Sequence, residues 1–523
     1  QSLTRLKQTT STATPPWPVI AQLLATAVQQ AKSLEDQRAT SYALGSLGGL
    51  YEQTQQWSYA QNLTQQALLL AQASNAPDIT YRWQWQLGRL LKVQGDTPGA
   101  IAAYTEAVNT LQTLRQDLAA INADVQFSFR DSVEPVYRQL VGLLLQPKGS
   151  VKPSQQNLAQ ARSVIEALQV AELDNFFRQA CLDTQPVQID QVDPQAAVIY
   201  PIILEDRLEV ILSLPRQPLR HYTTRLPQNQ IESSSEQLRQ TLVTRTSRRF
   251  LPLSQQVYRW LIQPAEADLV KSRVKTLVFV LDGPLRNIPM AALHDGKQYL
   301  IEKYGIALTP GLRLLDPQPL KQRQLRALVA GLTEARQGFA PLENVALELA
   351  EVKSEVPSEI LLNQEFTRTT FQNELRSSRF PIVHIATHGQ FSSKPEETFI
   401  LTWDDRINVN QLDNLLQAQD QSRSSAIELL VLSACETAAG DRRAALGLAG
   451  IAVQAGARST LSTLWSIDDA ATAELMNQFY SELAKAEVTK AEALRRAQRA
   501  ILKVRRYNHP IYWAPYVLVG NWL

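Results

Sequence analysis

His388 and Cys435 are two side chains whose types and settings could make and break a covalent bond in this 523-residue sequence. Each follows a short apolar, β-branched-rich run. Pro381-Ile382-Val383-His384-Ile385-Ala386-Thr387 leads to His388, and Ile427-Glu428-Leu429-Leu430-Val431-Leu432-Ser433-Ala434 leads to Cys435. Runs of this kind, bounded by polar residues or glycine, predict strands buried on both faces of a parallel sheet. Open parallel sheets gather their chemistry at the carboxyl edge of the strands. One strand therefore delivers an imidazole to that edge and the other a thiol. An unperturbed thiol has a pKa near about 8.5, so little of it is thiolate at neutral pH. A neighbouring imidazole accepts its proton or stabilises the anion, then protonates a leaving amine. The pair predicts a cysteine peptidase working through a dyad, since no Asp or Asn follows as an obvious third member.

The histidine precedes the cysteine by 47 residues (435 − 388), close to the roughly 50 of caspases. The surrounding residues read HIATHGQF (384–391), VLSACETAAG (431–440), GARSTLSTLWSIDDAATAEL (456–475), KAEALRRAQRAIL (490–502) and HPIYWAPYVLVG (509–520), with LDGPLRNIPMAAL (281–293) upstream. Together they resemble the CHAT family, caspase-like domains associated with tetratricopeptide repeats. The resemblance covers roughly the C-terminal 330 residues and is far more specific than a bare Cys/His pair. It implies an α/β caspase-like fold, a three-layer α/β/α sandwich with a mostly parallel sheet, in the clan of caspases, metacaspases and separases. It also implies an oxyanion hole made by the amides of Gly389 and Cys435. Caspases read Gln-Ala-Cys-Arg-Gly around the nucleophile, and metacaspases carry Asp two residues before it. Ser433 stands at that position here, so neither the acidic preference of the first nor the basic preference of the second carries over. Asp404, Asp405, Asp468 and Asp469 lie near strand ends and could, with Ser433, line a pocket for a basic side chain. Asp468 fits equally well as the N-cap of the helix that follows it.

Competing chemistry is weaker. His384-x-x-x-His388 imitates a metal-binding spacing, but that spacing works on a helix. On a strand four residues span about 13 Å, whereas two zinc ligands must each lie about 2 Å from the metal. Metal is rejected, and no other cofactor is expected. His384, inside the strand, reads as a core histidine rather than a second base. Cys181 reads as a small buried thiol. No phosphate-cradling glycine motif is present. The basic residues Arg239, Arg245, Arg248 and Arg249, expected on one helix, and the cluster Arg495, Arg496, Arg499, Lys503, Arg505 and Arg506 read as solvated faces rather than sites for an acidic partner.

These residues must be positioned by a chain too long for one core. Lys plus Arg number 52 against 50 Asp plus Glu, a net charge of +2, so nothing draws the protein generally to nucleic acid or membrane. No apolar run approaches the ~18 residues of a transmembrane helix. Two cysteines cannot form a stapled framework and fit a reducing compartment, so a cytoplasmic location is expected. The sequence begins at Gln1 and has two methionines, Met290 and Met476. It reads as an excised or processed fragment from which a targeting segment would be missing.

Residues 1–18 read as a mobile lead-in. Over 19–110, Leu47, Gly48, Tyr51, Ala60 and Ala67 recur forty positions on as Leu87, Gly88, Leu91, Ala100 and Ala107. The pattern resembles tetratricopeptide repeats, with the usual ~34-residue unit stretched by a longer loop between repeats. A helical connector is expected over 111–185, the N-terminal half of the CHAT domain over 190–320, and the caspase-like catalytic half over 321–523. The repeats would offer a concave surface to a protein partner, or merely cap the enzyme. The resulting expectation is a cysteine endopeptidase acting on a protein substrate that the repeats recruit or sense. It would be held back until a partner docks, with 438–445 as the gating loop. The alternative is a catalytically silent caspase-like scaffold in signalling.

Overall fold

The computed structural model describes residues 15–120, 129–146, 152–177, 193–311, 320, 325–377, 380–391, 398–408, 411–412, 415, 427–433, 436–437, 457–485 and 487–523. The chain divides into two compact units, one ending at Ala180 and one starting at Cys181.

The first unit is helical. Helices α1 (Trp17–Ser33), α2 (Gln37–Gln53), α3 (Trp57–Ala73) and α4 (Pro77–Val93) are each 17 residues long, and α5 (Thr97–Ala120) follows. Helix α1 thus begins inside the stretch read as a lead-in. Each of the first four helices ends in a turn with one left-handed residue: Glu35 (φ 53°), Gln55 (φ 59°), Asn75 (φ 48°) and Gly95 (φ 84°). The next amide then reaches back to a carbonyl five residues earlier, as in Asp36 to Ala31 and Gln56 to Tyr51. This closes the helix end in the Schellman manner. The expected longer loop between repeats is absent. With turns this short, the residues beyond the usual ~34 per unit lie in the helices.

The small positions of the period sit where helices touch. Ala60, Ala67, Ala100 and Ala107 are fully buried. A Cβ on Gly48 would lie 2.9 Å from Thr64 Oγ1, and one on Gly88 2.6 Å from the Tyr104 ring. Helices α6 (Phe129–Ser132), α7 (Glu134–Leu144) and α8 (Gln155–Phe177) complete the unit. Gln139 of α7 joins it to the repeats by accepting from Trp85 Nε1 and Tyr104 OH, both at 2.8 Å.

The second unit is built on sheets. Its strands are β1 (Ala196–Ile203), β2 (Leu208–Ser213), β3 (Arg220–Thr224), β4 (Thr276–Phe279), β5 (Gly305–Leu308), β6 (Ala327–Gly331), β7 (Ser358–Leu362), β8 (Ile382–Ala386), β9 (Gly389–Phe391), β10 (Phe399–Leu401), β11 (Arg406–Asn408), β12 (Leu429–Ser433), β13 (Glu436–Thr437), β14 (Ser459–Thr463) and β15 (Tyr516–Gly520). Eleven form one sheet in the order β3-β2-β1-β4-β5-β15-β14-β12-β8-β6-β7, and four form a second, β11-β10-β9-β13. From β14 to β7 every pairing is parallel. So are the pairings from β1 through β4 and β5 to β15. These two groups run in opposite directions and meet at the antiparallel pair β14·β15. The last strand of the chain thereby joins residues from both sides of position 320 in one sheet. Gly520 permits this closure: its φ is 97°, and a Cβ there would lie 2.5 Å from the Arg458 carbonyl.

Helices α9 (Gln228–Leu242), α10 (Phe250–Leu261), α11 (Glu266–Lys271), α12 (Leu300–Lys303), α13 (Val345–Glu355), α14 (Arg368–Ser377), α15 (Asp469–Leu483) and α16 (Lys490–Lys503) accompany the sheets. Arg245, Arg248 and Arg249 are not on a helix with Arg239. Helix α9 ends first, and Arg239 is buried. Three of the six C-terminal basic residues are engaged internally. Arg495 donates to the carbonyls of Ile301 and Glu302, Arg496 pairs with Glu482 and Glu492, and Arg506 pairs with Glu474.

Candidate active site

Strand β8 lies between β6 and β12, with Ala386 opposite Gly331 on one side and Ser433 on the other. Past this carboxyl edge β8 continues through Thr387 and His388 into β9, where Gln390 pairs with Glu436 of β13. Three residues lie between Ala386 and Gln390, and two, Ala434 and Cys435, between Ser433 and Glu436. Cys435 lies outside the described residues, as do Cys181 and the expected gating loop 438–445. The described residues on both sides of Cys435 are paired with those that flank His388.

Strand β10 clamps the main chain around the imidazole. Thr387 Oγ1 donates to the Leu401 carbonyl at 3.0 Å, and the Leu401 amide donates to the His388 carbonyl at 2.9 Å. The half-buried His388 ring places Nε2 2.7 Å from the Ala340 carbonyl oxygen. A carbonyl can only accept, so Nε2 carries the proton and, in the neutral ring, Nδ1 holds the lone pair. Phe339 lies against the ring, 5.0 Å between centroids. Ala340 belongs to the connection between β6 and α13. Gly338 (φ 88°) turns that connection, and bonds from Leu342 N to the Thr333 carbonyl and from Thr333 N to Asn363 Oδ1 brace it. The sequence held no sign of this third partner, because every residue type carries the same main-chain carbonyl.

The other candidate residues fall elsewhere. His384 is fully buried, with Nδ1 3.0 Å from Tyr480 OH and Nε2 3.0 Å from Glu348 Oε1. The approach to Glu348 is too poorly aligned for a hydrogen bond. Burial, reinforced by the Glu348 charge, pushes the Tyr480 phenol well above its ordinary range, so it stays protonated. His384 thus faces the helices α13 and α15, as a core histidine does. Asp404 accepts from the Arg368 amide and from Thr402 Oγ1 at the start of α14, both at 3.0 Å, and Asp405 lies 3.7 Å from Arg368 Nη1. Asp468 caps α15, accepting from the Ala471 amide at 3.2 Å; the side chain of Asp469 is outside the described residues. Ser433 is buried at the end of β12, its hydroxyl without a hydrogen-bond partner among the described residues. Gly389 opens β9, paired with Ile400.

Residues 251–521 match the sequence profile of the CHAT domain. The chain belongs to the CHAT domain family. This CHAT protein is 25% identical over 324 residues to Tetratricopeptide repeat protein 28 of Mus musculus. It is 24% identical over 323 residues to the Homo sapiens protein of that name. Each alignment takes in 51% of this chain and 13% of the relative, so the chain matches only a small part of those proteins. Among solved structures, the Saccharomyces cerevisiae separase–securin complex aligns over 99% of this chain and 48% of that one, at 10% identity and a TM-score of 0.39. That likeness is too loose to carry an argument about the site. Among the described residues no helix is long and apolar enough to cross a membrane.

Proposed function

We propose that this CHAT protein is a cysteine endopeptidase in which Cys435 is the nucleophile and His388 its base, acting on a protein that the helical repeats recruit or sense. The observation that carries this reading is the double pairing around the two residues. Ala386 lies opposite Ser433 before them, and Gln390 lies opposite Glu436 after them. The hydrogen bond from Nε2 to Ala340 adds chemical sense, because it leaves Nδ1 as the nitrogen able to take a proton.

In this mechanism the thiol proton passes to Nδ1 as sulfur attacks the scissile carbonyl. A C–S bond forms, and the carbonyl π pair moves to oxygen, where the amides of Gly389 and Cys435 would receive it. When the intermediate collapses, the C–N bond breaks and the Nδ1 proton goes to the departing amine. Water then attacks the thioester while Nδ1 takes its proton. The acid leaves, and the proton returns to sulfur. Through all of this the Ala340 carbonyl holds the ring in one orientation, a positioning role that needs no acidic third residue.

Cys435→Ala tests the assignment with a library of fluorogenic peptides. Cleavage should vanish while unfolding stability changes by no more than about 1 kcal/mol, because only one sulfur is removed. A variant that still cuts, or one that fails to fold, contradicts the assignment. A wild-type chain that cuts nothing favours a silent scaffold.

A further inference from the structure

The rim beside His388 is made by the connection that carries Ala340 and by the β10–β11 hairpin. Arg406, exposed at the start of β11, holds its guanidinium carbon 4.7 Å from the centre of the Phe399 ring and 5.9 Å from that of Phe339. Its Nε donates to Gln337 Oε1 at 2.9 Å. Arg336, on the facing segment, lies over Trp403 at 3.2 Å. Phe339 is also the ring that lies against His388. The Arg406 guanidinium is therefore no farther from the imidazole than its own distance to Phe339 plus that of Phe339 to His388.

Neither guanidinium has a carboxylate partner among the described residues. Some exposed arginines of the chain are neutralised, as Arg38 is by Asp78, Arg496 by Glu482 and Arg506 by Glu474. What sets Arg336 and Arg406 apart is that both are stacked on rings at the rim beside His388. The two acids that precede Arg406 are occupied at the start of α14. Stacking on an aromatic face fixes a guanidinium and leaves its in-plane N–H edge open to a bidentate carboxylate. Arg406 commits its Nε to Gln337, and Arg336 Nε is buried without a hydrogen-bond partner among the described residues. The terminal nitrogens of the two stacked groups, with no carboxylate paired to them among the described residues, favour an anionic occupant.

We infer that Arg336 and Arg406 select substrates with a carboxylate side chain close to the scissile bond. The inference rests on the peptidase reading and names a substrate class for it: acidic peptides, with the charge read by two stacked guanidiniums.

Binding separates this inference from the chemistry. The full chain carrying Cys435→Ala is titrated with fluorescent peptide libraries in which one fixed position is Asp or Glu, against matched libraries with Asn or Gln there. Acidic libraries should bind at least about tenfold more tightly, the scale of a charge-assisted contact, and the preference should weaken as salt rises. Arg336→Gln with Arg406→Gln should remove it, while Arg406→Lys should keep only part, since the charge survives and the stacked fork does not. Thermal unfolding of each variant shows whether the fold is retained. Acidic and amide libraries that bind alike, whether well or not at all, overturn the inference. So does a preference that survives in a folded double variant. If the preference is present but the wild-type chain cleaves neither library, the peptidase reading fails and the acidic-peptide site stands.

Discussion

At the scale of single residues, a main-chain carbonyl serves His388 as a carboxylate serves many catalytic histidines. It fixes which nitrogen carries the proton, and it brings a dipole rather than a full charge. A different buried cation lies near the start of β12, away from this edge. Lys490 is fully buried, and its Nζ has no hydrogen-bond partner among the described residues. Burial pushes its pKa down to about 8; Glu428 opposes the shift and Arg458 adds to it. The unfolded amine titrates near about 10.4, so between these values the unfolded state binds more protons and stability rises with pH. Below the folded value the whole penalty for carrying the charge is present. Lys490→Met should therefore stabilise the protein at pH 7, on the order of 2–3 kcal/mol, and the gain should shrink between pH 8 and 10. Denaturant unfolding of both chains across that range checks it; a pH-independent difference contradicts it.

At the scale of elements, the forty-residue period was legible because helix contacts demand small residues at fixed places, as at Ala60 and Ala100. The turns were not. Of the four left-handed positions only Gly95 and Asn75 are residue types that advertise such a backbone, while Glu35 and Gln55 do not. Without that signal the extra length was assigned to a loop instead of to longer helices. The closest approach of a repeat glycine to a ring is at Gly45, where a Cβ would lie 2.4 Å from Trp83. Trp83 cannot easily yield, because its Nε1 donates to Ser41 Oγ, which in turn donates to the Ala67 carbonyl. Gly45→Val should cost the helical unit about 1–3 kcal/mol through overpacking. Chemical unfolding followed by tryptophan fluorescence measures it, and an unchanged midpoint would show that the helices can part freely. The closing strand β15 was equally hard to see. Tyr516–Gly520 looks like any short apolar run, and nothing local reports that it pairs antiparallel with β14 and parallel with β5.

At the scale of the whole molecule, the second unit joins two parallel groups of strands that run in opposite directions. The carboxyl edge at which β8 and β12 end belongs to one group. His388 and Cys435 stood out in the sequence as candidates because their side chains carry reactive groups and follow recognisable strand patterns, of which the structure describes β8 and β12. Ala340 and the guanidinium rim were not, because their roles arise from backbone geometry and from segments brought together by the fold. The acids Asp404, Asp405 and Asp468 stood out by charge, yet all three are engaged at helix starts, a local role that sequence separates from substrate contact only in the case of Asp468. The central claim is that His388 activates Cys435. It is tested most directly by the rate at which a thiol-directed peptidyl acyl probe labels the chain, with the modified residue located by mass spectrometry. The account predicts a single adduct on Cys435 in the wild type and a rate at least about a hundredfold lower in folded His388→Ala, the lower end of general-base catalysis. Equal labelling rates in the two chains, or an adduct on Cys181 instead, would contradict it.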